Sequence, residues 1–331
     1  MIVIFEGCDK SGKTTIAKEL SNRLFIPYFK KPNEHDIFSG NYIPEYSLIY
    51  ETRKFLEFYE SEVIKDVIID RDYISEYVYG QIYRSKIYNE LNINTYITEY
   101  DKRYYKNGCV IVYCYKNNYK NFTDEFIKEN EIDIIKNKYE EFFNCSVNNI
   151  LFLNTEDENL HNQCNEINNY ISKINNINNL NRQLFNVNNK IVLGNFKGNK
   201  CLLVSYNVLK GFKSYLESKI SNYVKFDNYD ITMTYNEFIK DKNYIDSIKY
   251  YDKILHISKE LNIRPNEISY TCINKNFDGY INDDVVNKNV SLLLEHIKIF
   301  CNNEDIPIIT LDNQSHILLS DYKIKHVEYN V

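Results

Sequence analysis

Residues 1–20 read MIVIFEGCDKSGKTTIAKEL, and their order decides the fold of the first half of the chain. The apolar run Met1 to Phe5 gives way to a loop punctuated by glycines. TTIAKELSNRLF follows with apolar residues at helical spacing, so the segment reads strand, loop, helix. Gly7-Cys8-Asp9-Lys10-Ser11-Gly12-Lys13-Thr14 fits the phosphate-loop pattern G-x-x-x-x-G-K-[ST]. Glycines let backbone N–H groups face a polyphosphate, and the helix that follows adds its positive N-terminal end. Lys13 would reach the terminal phosphates, and the Thr14 hydroxyl would ligate Mg²⁺. A chance match has no reason to fall between a strand and a helix. The segment from Gly7 through Asp9, Ser11, Gly12, Lys13 and Thr14 to Thr15 is therefore read as an ATP-binding loop.

Strands and helices alternate outward from this loop. PYFKK, DVIID, CVIVYCY and NILFLN read as strands. SLIYETRKFLEFYESEVIK, ISEYVYGQIYRSKIY, INTYITEYDKRYYKN, EIDIIKNKYEEFF and LHNQCNEINNYISKI read as helices between and after them. Alternation of this kind implies right-handed crossovers and a parallel sheet with helices on both faces, an α/β fold of P-loop NTPase type. Ligands in such sheets sit at the carboxyl ends of the strands, where Gly7, Asp70, Lys116 and Asn154 fall.

Asp70 closes the strand DVIID, the usual place for a second Mg²⁺ anchor, and Arg71 beside it can neutralise a phosphate. The competing reading is a helix cap followed by a surface arginine.

Two stretches together carry a resemblance. FEGCDKSGKTT is similar to the thymidylate (dTMP) kinase opening F-E-G-x-D-x-x-G-K-[ST]-T, and DRDYISEYVYG resembles that family's D-R-[YFH]-x-x-S-x-x-A-Y-Q. Asp70, Arg71, Ser75 and Tyr79 fall in register, and the likeness covers about residues 1–175. It implies phosphoryl transfer from ATP to a deoxynucleoside monophosphate, dTMP or a related or modified pyrimidine nucleotide. It places Asp9 against the sugar 3′-hydroxyl of the acceptor; a loop aspartate bonding its own backbone is the ordinary alternative. It calls for a cation on the moving phosphoryl group, from the loop or from lid arginines. The candidate lid, KNNYKNFTDEFIKEN, has Lys116, Lys120 and Lys128 but no arginine, so Lys10 takes that role or is a solvated loop lysine. Arg53 would grip the acceptor phosphate, with Tyr50 near the base and Tyr73, Ser75 and Tyr79 completing the acceptor pocket. The chain departs from the pattern at Asp72, at Gly80 and at FKKPNE (29–34), all expected on the acceptor side. Two alternatives stay open: a kinase acting on a base or end within DNA, and a nucleotide-binding regulator that transfers nothing.

At 331 residues the chain is long for one domain. The Asn-rich stretch 176–190 reads as a linker between a kinase domain (1–175) and an α+β or α/β domain (191–331). In the latter KIVLGNF, KCLLVSY, EISYTCI and PIITLD read as strands. Asp283-Asp284, the GNFKGNK stretch and the cluster Asp312, Gln314, His316 read as turns. The sequence leaves its role open among dimerisation, capping the kinase and a second activity.

The 31 Tyr and 18 Phe, without Trp, match A/T-rich codons and point to an A/T-rich genome, cellular, viral or phage. A net charge of −6 gives no sign of nucleic-acid coating. Eight scattered cysteines form no C-x-x-C pair, so reduced thiols in a cytoplasmic protein are expected. No run approaches the ~20 apolar residues that a membrane span needs.

Overall fold

The computed structural model describes residues 1–30, 44–119, 127, 129–157, 159–187, 200–206, 211–212, 214–215, 237–239, 241, 243–273, 283–301 and 305–329. They form two units, Met1–Tyr170 and Ile171–Val331.

The first unit is a five-stranded parallel sheet: β1 (Ile2–Glu6), β2 (Tyr28–Lys30), β3 (Val67–Asp70), β4 (Val110–Tyr115) and β5 (Asn149–Asn154), in the order β2-β3-β1-β4-β5. Every residue of β1 and β3 is buried, as expected of strands covered on both faces. Helices α1 (Lys13–Leu24), α2 (Pro44–Glu60), α3 (Ile93–Lys106), α4 (Ile132–Cys145) and α5 (Leu160–Val187) supply the connections or follow the last strand. In α1 the buried residues are Lys13, Ile16, Ala17 and Leu20, the single stripe of an amphipathic helix. The stripe begins on a lysine, so the core face of α1 runs directly into the phosphate loop.

The helix expected over ISEYVYGQIYRSKIY is broken. Helical turns at Tyr73–Ser75, Gln81–Tyr83 and Ser85–Glu90 flank a π turn at Glu76–Gly80. Gly80 packs closely there: a Cβ would lie 2.3 Å from Glu76 Oε1 and 2.8 Å from Tyr88 Cδ2, so both side chains would have to shift. Its departure from the family pattern is thus explained by packing within this helix.

Tyrosines carry much of the core. Tyr73, Tyr100, Tyr104, Tyr113 and Tyr139 are all nearly or wholly buried. Tyr73 stacks on Tyr104 at 5.1 Å, and their hydroxyls bond two buried carboxylates, Asp101 and Asp72 respectively.

In the second unit β6 (Cys201–Ser205), β7 (Ile268–Cys272), β8 (Ile308–Thr310) and β9 (Val327–Glu328) form a parallel sheet in the order β7-β6-β8-β9. Its helices include α6 (Ile245–Leu261), α7 (Asp283–Cys301) and α8 (Asn313–Asp321). This resolves the choice left by the sequence in favour of α/β.

Three expectations change. The Asn-rich stretch is not an irregular linker up to Val187 but the continuation of α5, and the unit boundary falls inside that helix. Asp283 opens α7 instead of sitting in a turn. Asp312 makes no hairpin: it caps α8, accepting from Ser315 N, while Gln314 and His316 lie within the helix. KIVLGNF and the GNFKGNK stretch lie outside the described residues apart from Lys200. No helix among the described residues is long and apolar enough to cross a membrane.

Candidate functional site

Strand β1 ends at Glu6, and the chain must turn at once to start α1. Gly7 makes the turn at φ 144, where a Cβ would lie 2.2 Å from the Cys114 carbonyl oxygen at the end of β4. Gly12 caps α1 in the left-handed region at φ 81. Thr155, just beyond β5, pins the loop between them by donating to Ser11 O at 2.7 Å. Three strand ends thus fix the loop that the sequence singled out. Thr155 escaped the sequence reading because its partner is a backbone carbonyl 144 residues away.

Lys13 lies buried under the loop, its Nζ 3.5 Å from Cys8 O and 3.6 Å from Asp9 Oδ1. Burial pulls its pKa below the ordinary lysine value, and the nearby Arg71 charge pushes the same way, against Asp9, Asp70 and Glu6. Thr14 donates to Asp70 Oδ2 at 2.6 Å, and Tyr28 from β2 donates to the same oxygen at 2.9 Å. Asp70 Oδ1 is buried without a hydrogen-bond partner among the described residues, and so is Ser11 Oγ. Buried polar atoms are seldom left so. A hydroxyl and a carboxylate side by side, with an orphaned carboxylate oxygen, suit a hard oxygen-seeking cation such as Mg²⁺. Asp70 does not cap the next helical turn; Asp72 does.

Arg71 has a left-handed backbone, φ 68, uncommon for a residue with a Cβ. Its Nη2 lies 2.5 Å from Asp9 Oδ1, its Nη1 3.4 Å from Ser75 Oγ, and its guanidinium 5.0 Å over the Tyr79 ring. Burial alone would raise the Asp9 carboxyl, but the Arg71 and Lys13 charges outweigh it and hold Asp9 below the usual carboxylate range. Asp9, Lys13, Thr14, Asp70, Arg71, Ser75 and Tyr79 therefore gather in one place. Lys10 stands exposed on the same loop in left-handed backbone, φ 60, and the Thr15 side chain is exposed at the start of α1.

Other expected site residues are elsewhere. Tyr73 is 1% exposed and donates to Asp101 at 2.8 Å, so it packs the core and does not face an acceptor. Asp72, expected on the acceptor side, is fully buried and accepts from Thr52 at 2.6 Å and from Tyr104. Arg53 is exposed and paired with Glu57 at 3.1 Å, one turn along α2; its neighbour Thr52 is the residue that reaches the Asp70–Ser75 turn. Tyr50 is on α2, in a stretch whose side chains lie outside the described residues, as do Lys120, Lys128 and residues 31–34 of FKKPNE. Lys116 is half-buried just after β4.

No protein-family model matches the chain, and no curated protein matches it. Among solved structures it is similar to one described as the YorR protein of Bacillus subtilis in complex with phosphorylated GDP. The two are 22% identical over 50% of this chain and 93% of that chain, with a TM-score of 0.36. What the site can do is set by this chain's own residues.

Proposed function

We propose that the first unit transfers a phosphoryl group from ATP to a deoxynucleoside monophosphate, dTMP or a related or modified pyrimidine nucleotide. The observation that carries this reading is the meeting of two carboxylates and two cations across the phosphate loop: Thr14–Asp70 on one side, Lys13–Asp9–Arg71 on the other. The first pair suits a metal–triphosphate. The second brings a hydroxyl acceptor, Asp9, against a phosphate-binding guanidinium, as an acceptor nucleotide would need.

Lys13 would hold the ATP phosphates once they displace its weak contacts to Cys8 O and Asp9. Thr14 and Asp70 would hold Mg²⁺, which when bound supplies charge neutralisation to the phosphates. Arg71 would hold the acceptor phosphate, freed from Asp9 as that carboxylate turns to a sugar hydroxyl. Lys10 would meet the moving phosphoryl group, as a point charge without the bidentate fork of an arginine. The acceptor oxygen is already anionic, so no general base is needed, and catalysis is positioning and electrostatics.

The test is a panel of radiolabelled ATP against dTMP, dUMP, 5-hydroxymethyl-dUMP and oligonucleotides. Label should reach a free monophosphate, and Lys13→Ala should lower the rate by at least about a hundredfold. Label in none of the three free nucleotides would sink the proposal; label in the oligonucleotide alone would put the acceptor in DNA.

A further inference from the structure

The phosphate loop begins after a glutamate that the F-E-G opening includes but to which the proposed reaction gives no role. Glu6, the last residue of β1, is completely buried. Burial raises its pKa, against the Arg71 charge, the Asp72 N–H and the hydroxyls of Ser75 and Tyr139. A carboxylate in this position must be fully hydrogen-bonded to be tolerated. Its Oε1 accepts from Asp72 N at 2.8 Å, and its Oε2 from Ser75 Oγ at 2.8 Å and Tyr139 OH at 3.0 Å.

All but one of these bonds go to the turn that carries Arg71. On one side of the left-handed Arg71 backbone, its own N–H reaches Phe5 O at 2.9 Å. On the other side, the next N–H reaches Glu6. Ser75, which donates to Glu6, also receives Arg71 Nη1 at 3.4 Å. Glu6 thus grips both the backbone and, through one hydroxyl, the guanidinium. Tyr139, from α4, bonds both Glu6 and Gly7 O (3.3 Å), so the same carboxylate is tied to the first glycine of the loop.

The geometry points to Glu6 as a positioning residue that keeps Arg71 aimed at a phosphate when Asp9 is withdrawn. Asp9 is Arg71's ion-pair partner in this structure, and it is partly exposed, where a ligand can take it. Glu6 is sealed inside and cannot be taken by ligand. An arginine held by Asp9 alone would lose its orientation at the moment an acceptor hydroxyl engages that carboxylate. Held also by Glu6 through Ser75 and the Asp72 N–H, it keeps its place. This inference rests on the phosphoryl-transfer reading above for its kinetic consequence, but not for the positioning itself.

Two readouts separate these. In isotope-labelled protein, the Arg71 Nε–H resonance, assigned by its loss in Arg71→Lys, should be that of an immobilised side chain. With the ion pair removed by Asp9→Asn it should stay there, and adding Glu6→Gln to that variant should move it toward the averaged position of exposed arginines. On turnover, Glu6→Gln should lower kcat by roughly ten- to a hundredfold while KM for ATP stays unchanged. In an Arg71→Met background, the same substitution should add nothing further. An Arg71 resonance unmoved in that double variant, wild-type turnover in Glu6→Gln, or a loss of the same size with Met at 71 would each overturn the inference. Should wild type transfer to no acceptor, the proposed reaction falls while the resonance still decides the role of Glu6. Should Glu6→Gln fail to fold, Ser75→Ala, which cuts only the relay to the guanidinium, is read the same way.

Discussion

The two sheets have the same core order but different contents. Around β1 the order is β3-β1-β4-β5, around β6 it is β7-β6-β8-β9, and all strands are parallel. In each unit a glycine at φ 81, Gly12 or Gly211, follows the first described strand and stands just before a helical residue. There the likeness ends. Gly12 is followed by Lys13 and Thr14, while Gly211 is followed by Phe212, fully buried against Phe238 at 5.5 Å. The strand partner of Phe5 ends on Asp70, and that of Ser205 on Cys272. Where Asp70 leaves an oxygen orphaned, Ser205 pairs with Tyr270 at 2.5 Å and Tyr206 N is met by Asp312 at 2.8 Å. Topology offers a crevice at the strand ends; only the side chains decide whether it suits a phosphate.

Substitutions can break this contrast. The largest effect should come from Asp70→Asn, which keeps the shape and removes the charge beside Thr14: turnover should fall by roughly a hundredfold or more, with Tm little changed. Near-wild-type turnover would remove Asp70 from the site. Next, Phe212→Ala should destabilise the chain by about 3–5 kcal/mol in denaturant unfolding while ATP affinity by calorimetry stays as in wild type. A matching loss of ATP affinity would mean that the second sheet shares in the site. The smallest effect is expected at Gly211→Ala. The left-handed backbone costs about 1–2 kcal/mol there, and the new Cβ would press on the Asp246 carboxylate at 2.9 Å. Unfolding unchanged by this variant would show that the shared φ is incidental.

The strands and the phosphate loop were legible because each is written in contiguous residues: an apolar run, then glycines at fixed spacing. The place of Asp70 and Arg71, at the end of β3 and beside the loop, was legible for the same reason. Asp72 was misread because its role is set by Thr52 and Tyr104, which are distant in sequence. Tyr73 was misplaced because a π turn and a left-handed Arg71 alter which side chains face inward. The helix expected over LHNQCNEINNYISKI runs on through the Asn-rich stretch as far as Val187, because asparagine, though common in turns, gives no stop signal of its own. Glu6 was passed over since a lone carboxylate at a strand end says nothing until its donors are seen.

The charges within the cradle have a consequence for how a ligand arrives. Glu6, Asp9 and Asp70 stand against Lys13 and Arg71, and the exposed Lys10 on the same loop brings these named charges level. A cradle so balanced is not a basic funnel, and the proposed polyphosphate would gain little long-range attraction from these groups. In the proposed reaction capture would then be a contact event, governed by backbone N–H groups and by the exchange of partners among Asp9, Lys13 and Arg71. Its speed would then depend little on ionic strength, which screens long-range attraction far more than contacts made inside the protein.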